Sequence, residues 1–365
     1  MRRLQLLLLA AIAGIGAALT YYYFEYAVKH SIDYVWHDLL DTNQHRLIVV
    51  PLCLILTLVY FAVQHLLDPR AEKQESHGLG DAPKPTSANF VKVLGIGFLS
   101  LVAGASLGPE AILVPACVLL GSYIGVKLSR GQKQATQLLG MAGFIGLFAA
   151  FFNSFFVGLL SLLLIRKEFK IALTPGLVVL TIAASGGSAL TLRILKSSAF
   201  VETPAYNWSL NLQTVLLLVL LGAAGYAVTY GLGGAHDAGR KLMQYTTGKP
   251  WWVHGLFASL TLSLLYLLGG SLVQFTGNES TVPMFKQSAD LGLWGLLWIA
   301  VIKIAAISWS KASGYRGGLI FPTVFVASVI VAATRLYAHD INLIYGLIAV
   351  LIGALYADKR VKILL

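Results

Sequence analysis

The stretch Gly104-Ala105-Ser106-Leu107-Gly108-Pro109-Glu110-Ala111 lies between two apolar runs, residues 91–102 before it and 112–125 after it. An ionisable group inside a membrane-grade apolar region is costly and marks a functional site by default. Gly108-Pro109 predicts a break there, because proline fits the first turn of a helix, where no N–H is required. Glu110 then falls at a helix N-terminus, whose unpaired N–H groups form an anion site. A negative side chain at such a place competes with any anion that would occupy it, which is the physics of a gate. The plainer reading, a charge that merely stabilises a helix end, is worth about 1 kcal/mol. Inside a membrane that gain seldom justifies the residue.

The rest of the chain fits a membrane setting. Of 365 residues, 57% are hydrophobic and 12% charged, about half the charge of a soluble domain. Roughly ten hydrophobic segments follow one another, several of them near the ~20 residues a span requires. The chain therefore reads as an all-α polytopic membrane protein. The net charge of +11 comes mostly from basic residues that flank apolar runs. It reads as topology and as no sign of a nucleic-acid partner. Cys53 and Cys117 stand within apolar runs and suggest neither a disulfide nor a metal site. No cofactor is expected.

The first helix is expected over residues 4–24, ending in the aromatic cluster Tyr21-Tyr22-Tyr23-Phe24. With Arg2 and Arg3 before it, the N-terminus is placed in the cytoplasm. The polar stretch 68–89 and the basic run Arg166-Lys167 are assigned to the same side. Residues 138–165 read as one apolar run. The polar link 196–211 divides a first half, 1–195, from a second, 212–365. The two halves rhyme: Val91-Lys92 leads to Gly104…Gly108-Pro109, and Ile302-Lys303 to Gly314…Gly317-Gly318…Pro322. Paired Gly/Pro-interrupted segments at corresponding places point to a transporter site at the bilayer midplane. Lys92 and Lys303 are candidates for a pore-facing role or for snorkelling.

At these motifs the chain resembles the CLC family of chloride channels and proton/chloride exchangers. The family pattern G-A-S-L-G-R-E-G-P is met by residues 104–112, and G-G-I-F-x-P by Gly317-Gly318-Leu319-Ile320-Phe321-Pro322. F-N-x-P-x-x-G is met in part by Phe152-Asn153-Ser154-Phe155-Phe156-Val157-Gly158. The resemblance implies an inverted repeat of broken helices meeting at the midplane. It implies Glu110 as the gating glutamate and backbone amides near Ala111 and at Leu319 and Ile320 as anion ligands. Gly108, Pro109, Gly317, Gly318 and Pro322 would shape the pore. Backbone donors hold an anion without fixed positive charge, so the ion can leave. The implied partners are chloride or another small monovalent anion, membrane lipid and a second copy in a homodimer. The implied location is a bacterial cell membrane.

The departures from the family pattern bear on mechanism. Pro109 replaces the family arginine. The serine motif G-S-G-I-P has only Ser76-His77-Gly78-Leu79-Gly80 to stand for it, and either Ser76 or His77 could be the ligand. The inner glutamate of the exchangers falls on Ile165, with Glu168 nearby. The family's closing helices, with their central tyrosine, are not found before Leu365. The expected activity is a passive, glutamate-gated anion pathway. The alternatives are a proton-coupled exchanger and a non-conducting relative. An intramembrane enzyme is disfavoured, since the apolar helices carry no paired Ser/Lys, Asp/Asp or His-Glu-x-x-His.

Overall fold

Every long regular element among the described residues is a helix, as the long apolar runs predict. The computed structural model describes residues 3–40, 45–68, 84–128, 132–169, 174–197, 211–338 and 343–363. In chain order the α-helices are α1 (Arg3–Ile32), α2 (Val49–Leu67), α3 (Ser87–Val102), α4 (Glu110–Leu128), α5 (Lys133–Phe151), α6 (Phe155–Phe169) and α7 (Pro175–Ile194). Then follow α8 (Leu212–Met243), α9 (Trp251–Gly269), the short α10 (Thr281–Lys286), α11 (Ser288–Ala312), α12 (Ile320–Arg335) and α13 (Leu343–Val361). Among the described residues, eight helices are long and apolar enough to cross a membrane. The helices α3 and α12 are apolar but shorter.

Two boundaries differ from the sequence reading, and one helix is bent. The first helix runs to Ile32 and continues through a π-helical turn, Asp33–Asp38, so the cluster at residues 21–24 lies within it and not at its end. The apolar run 138–165 is two helices, α5 and α6, parted at Asn153. Its φ of 45° is a conformation that asparagine tolerates better than most residues. Its Nδ2 donates to the Ser197 carbonyl at 2.7 Å. Finally, α11 bends at Gly292, where φ is 60°.

Helix starts carry the expected chemistry. Thr174 caps α7, its Oγ1 accepting the Leu177 N–H at 3.3 Å, with Pro175 in the first turn. Asn211 caps α8 by accepting the Thr214 N–H at 2.8 Å. Each satisfies a donor that the helix cannot satisfy itself.

The chain folds as two units. One comprises Met1–His30, Arg70–Phe98 and Ala111–Phe200; the other comprises Ser31–Pro69, Leu99–Glu110 and Val201–Leu365. The core of the first is built by Leu9 and Ala13 of α1, Phe144 and Ile145 of α5, and Leu180 of α7. Small residues let its backbones approach, the usual device where lipid removes the hydrophobic drive. A Cβ on Gly143 would lie 2.1 Å from the Cys117 carbonyl oxygen. In the second unit α8 packs along α13, α2 along α9, and α11 against α8 and α12. There Gly353 approaches Gly222 so closely that a Cβ would lie 1.8 Å from its oxygen.

Candidate functional site

The site is assembled wholly within the second unit, from two backbone passages of the same form. Helix α3 ends at Val102, and the chain turns at Gly104 with φ 100°. It then passes through a bend at Ser106 to Gly108 and enters α4 at Glu110. Helix α11 ends at Ala312, turns at Gly314 with φ 84° and enters α12 at Ile320. Glu110 and Ile320 are 210 residues apart, and the same offset relates every step of the two passages. Glycine is required at both turns, because few other residues reach that φ without strain.

The passages meet at Gly108 and Gly318, which form an isolated antiparallel bridge. The Gly108 N–H donates to the Gly318 carbonyl and the Gly318 N–H to the Gly108 carbonyl, each at 2.8 Å. This sets Glu110, the first residue of α4, beside the first turn of α12. The Glu110 Oε1 accepts the Ile320 N–H at 2.7 Å and the Phe321 N–H at 3.4 Å. Both donors are unused within their own helix and lie at the positive end of its dipole. Glu110 is 6% exposed, and its Oε2 is buried without a hydrogen-bond partner among the described residues.

The bridge glycines leave the carboxylate its space. A Cβ on Gly318 would lie 2.2 Å from the Glu110 Cδ, and one on Gly108 would lie 2.0 Å from Oε2. Gly317 is equally confined, 2.4 Å from the Leu107 Cβ by the same construction.

A second polar cluster supports the first passage. Lys303 is wholly buried, and its Nζ donates to the carbonyls of Val273 (3.0 Å), Gln274 (3.4 Å) and Phe275. The Phe325 ring lies 5.3 Å from the same ammonium. The loop so gathered is fastened to the site. Ser106 Oγ donates to the Phe275 carbonyl at 3.1 Å and Thr276 Oγ1 to the Leu107 carbonyl at 2.8 Å. The Phe275 N–H donates to Tyr266 Oη, which itself donates to the Gly104 carbonyl. Lys303 therefore does not snorkel: its Nζ is buried and hydrogen-bonded to three carbonyls.

The residues expected at the site from sequence fall as follows. Gly108, Glu110, Gly317, Gly318 and Ile320 are brought together. Leu319 caps α12, and the second donor to the carboxylate is Phe321. Ala111 follows Glu110 in α4 and is exposed. Pro109 stands between the bridge and the helix, and Pro322 lies in the first turn of α12. Ser76 and His77 lie outside the described residues. In the 210-residue register Lys92 is matched by Ile302, so its apparent rhyme with Lys303 slips by one position. Four hydroxyls went unremarked in the sequence: Ser100, Ser310, Tyr60 and Tyr266. The shared offset of the two serines was the signal that could have found them.

Comparison with known proteins shows the family and the fold. The family profile described as voltage gated chloride channel matches residues 71–356. "Putative ion-transport protein YfeO" of Escherichia coli O1:K1 / APEC is 29% identical over 250 residues, 67% of this chain and 57% of that protein. The protein of the same name in Escherichia coli O45:K1 gives the same values. The chain thus spans little more than half the length of these relatives. Among solved structures, a slow cyanobacterial Cl⁻/H⁺ antiporter is similar with a TM-score of 0.74 at 17% identity, over 98% of this chain and 95% of that one. A CLC-type fluoride/proton antiporter gives 0.63 at 18%, over 97% and 85%.

Proposed function

Since the chain belongs to the voltage gated chloride channel family, we propose that it passes small monovalent anions, chloride among them, across a membrane under the control of Glu110. The observation that carries this reading is the Glu110 carboxylate seated on the N–H groups of Ile320 and Phe321. A seat that holds one oxyanion by two helix-start donors suits a dehydrated chloride equally well. When the carboxylate is neutralised it yields the seat, and the ion takes its place. In this reading Gly108, Pro109, Gly317, Gly318 and Pro322 shape the passage, and Ile320, with Leu319 and Ala111 beside the seat, lines it. Ser76 would contribute from the cytoplasmic side. The halves 1–195 and 212–365, joined by 196–211, would be the two repeats. The working form would be a homodimer in a bacterial cell membrane with its N-terminus in the cytoplasm.

The passive form is supported by Ile165, which puts no titratable group where the exchangers of the family carry their inner glutamate. A proton-coupled form is supported by the likeness to the two solved antiporters. One assay separates them. Proteoliposomes holding a chloride gradient are followed for chloride and for pH, with reversal potentials in a salt gradient. Anion-selective flux that moves no stoichiometric protons is expected. Uphill proton movement would establish the exchanger, and a cation-selective reversal would overturn the assignment.

A further inference from the structure

The two passages are held by four hydroxyls, and two of them, Ser100 and Ser310, obey the same 210-residue register as the backbone. Ser100, in the last turn of α3, accepts the Arg316 N–H at 2.8 Å. Ser310, its counterpart in α11, accepts the Ser106 N–H at 3.0 Å, and Ser106 is the counterpart of Arg316. Each serine thus stands on one passage and holds the other. The turn carbonyls are treated alike: Tyr60 Oη donates to the Gly314 carbonyl at 2.9 Å, and Tyr266 Oη to that of Gly104. Both serines are wholly buried, and so is Ser106, so the Ser106 N–H has no water to fall back on; the bond from Arg316 is part-buried. None of the four hydroxyls bonds to Glu110, whose oxygen bonds come from Ile320 and Phe321.

A serine that only satisfied a buried donor could as well stand on its own passage. Crossing over has a different consequence. Releasing the Arg316 N–H loosens the approach to Gly318, and Gly318 is doubly bonded to Gly108. The disturbance therefore reaches Glu110, which lies on the other passage. Release of the Ser106 N–H travels the opposite way, through Gly108 to Gly318 and the first turn of α12.

We infer that Ser100 and Ser310 are reciprocal positioning residues, each fixing the half of the anion seat that the opposite repeat carries, so that the two helix starts order together. The functional part of this inference rests on the proposed role of the seat; the reciprocal ordering does not.

Hydrogen–deuterium exchange on the full chain in detergent tests the ordering. Ser100→Ala and Ser310→Ala should each accelerate exchange in both segments, 104–110 and 314–321, by about tenfold, the scale of one lost buried hydrogen bond. Peptides from α8 and α13 should hold their rates. Acceleration confined to the segment that lost its acceptor overturns the inference, and so does equal acceleration everywhere. If either alanine variant does not fold, Tyr60→Phe and Tyr266→Phe remove a single Oη, and the same reciprocal pattern is required of them. Chloride titration calorimetry in a Glu110→Gln background tests the link to the seat. Both serine variants should bind about tenfold more weakly, from the same lost bond. Thr181→Ala removes a buried hydroxyl bonded to Leu177 of its own helix and should leave binding unchanged. If the Glu110→Gln protein binds no chloride, the proposed function fails, while the exchange pattern still decides the reciprocal ordering.

Discussion

Replacing Glu110 by glutamine isolates the charge on the seat. The carboxylate is held through Oε1 by one short N–H bond, 2.7 Å from Ile320, and one long one, 3.4 Å from Phe321. A hydrogen bond to a charged group contributes about 1 kcal/mol more than a neutral one. With the longer bond counted at half weight, the amide loses about 1.5 kcal/mol of hold, roughly a tenfold factor in occupancy. Oε2 is buried and has no partner among the described residues, in the carboxylate as in the amide that would replace it, so that position adds no further hold to the charged form. The loss therefore raises apparent anion occupancy by about tenfold, on the scale of about 1.4 kcal/mol per tenfold. The same logic fixes the sign of the pH response. Acid neutralises the carboxylate, so flux in the parent protein rises as pH falls. The Glu110→Gln protein should run at high flux with that dependence gone, and Glu110→Asp should keep it on a shorter arm. The assay is chloride efflux from proteoliposomes over a range of external pH. If Glu110→Gln retains the parent's full pH response, the charge on the seat is not the gate.

Gly318→Ala should behave in the opposite way to Glu110→Gln. The new Cβ would lie 2.2 Å from the present position of the Glu110 Cδ, so it fills the seat for carboxylate and chloride alike; flux near background is expected, and parent-like flux would refute this placement. Lys303→Met strips the carbonyls of three consecutive residues of their donor and should lower stability by about 3 kcal/mol. A thermal melt reads the loss, and an unchanged midpoint with altered conductance would return Lys303 to the pore. The proposed dimer should give twice the monomer mass by light scattering at micromolar protein, and a clean monomer mass would remove it.

Much of the seat was legible in the sequence, because the physics that builds it is local. A glycine, a four-residue interval and a second glycine before a helix start already specify a turn, a close approach and a row of unpaired N–H groups. What escaped the sequence was set by contacts far along the chain. Lys303 takes its acceptors from residues 28–30 positions earlier, and no local rule says that a lysine in an apolar helix will find three carbonyls. The shift from Leu319 to Phe321 as the second donor depends on where α12 begins, to within one residue. The break at Asn153 was hidden by apolar residues on both sides, since hydropathy does not register a left-handed backbone.

The bridge between Gly108 and Gly318 brings together two helix starts of similar main-chain course that are unlike in side chain. At matched positions one carries Glu110 and the other Ile320. If anions pass here as proposed, an ion reaching the bridge beside α4 would meet a charge and one reaching it beside α12 would meet a hydrocarbon. In the proposed function the direction of the passage is set by side chains carried on two main-chain runs of the same form: by Glu110 against Ile320 at the helix starts, and by Ser106 against Arg316 and Pro109 against Leu319 on the approach.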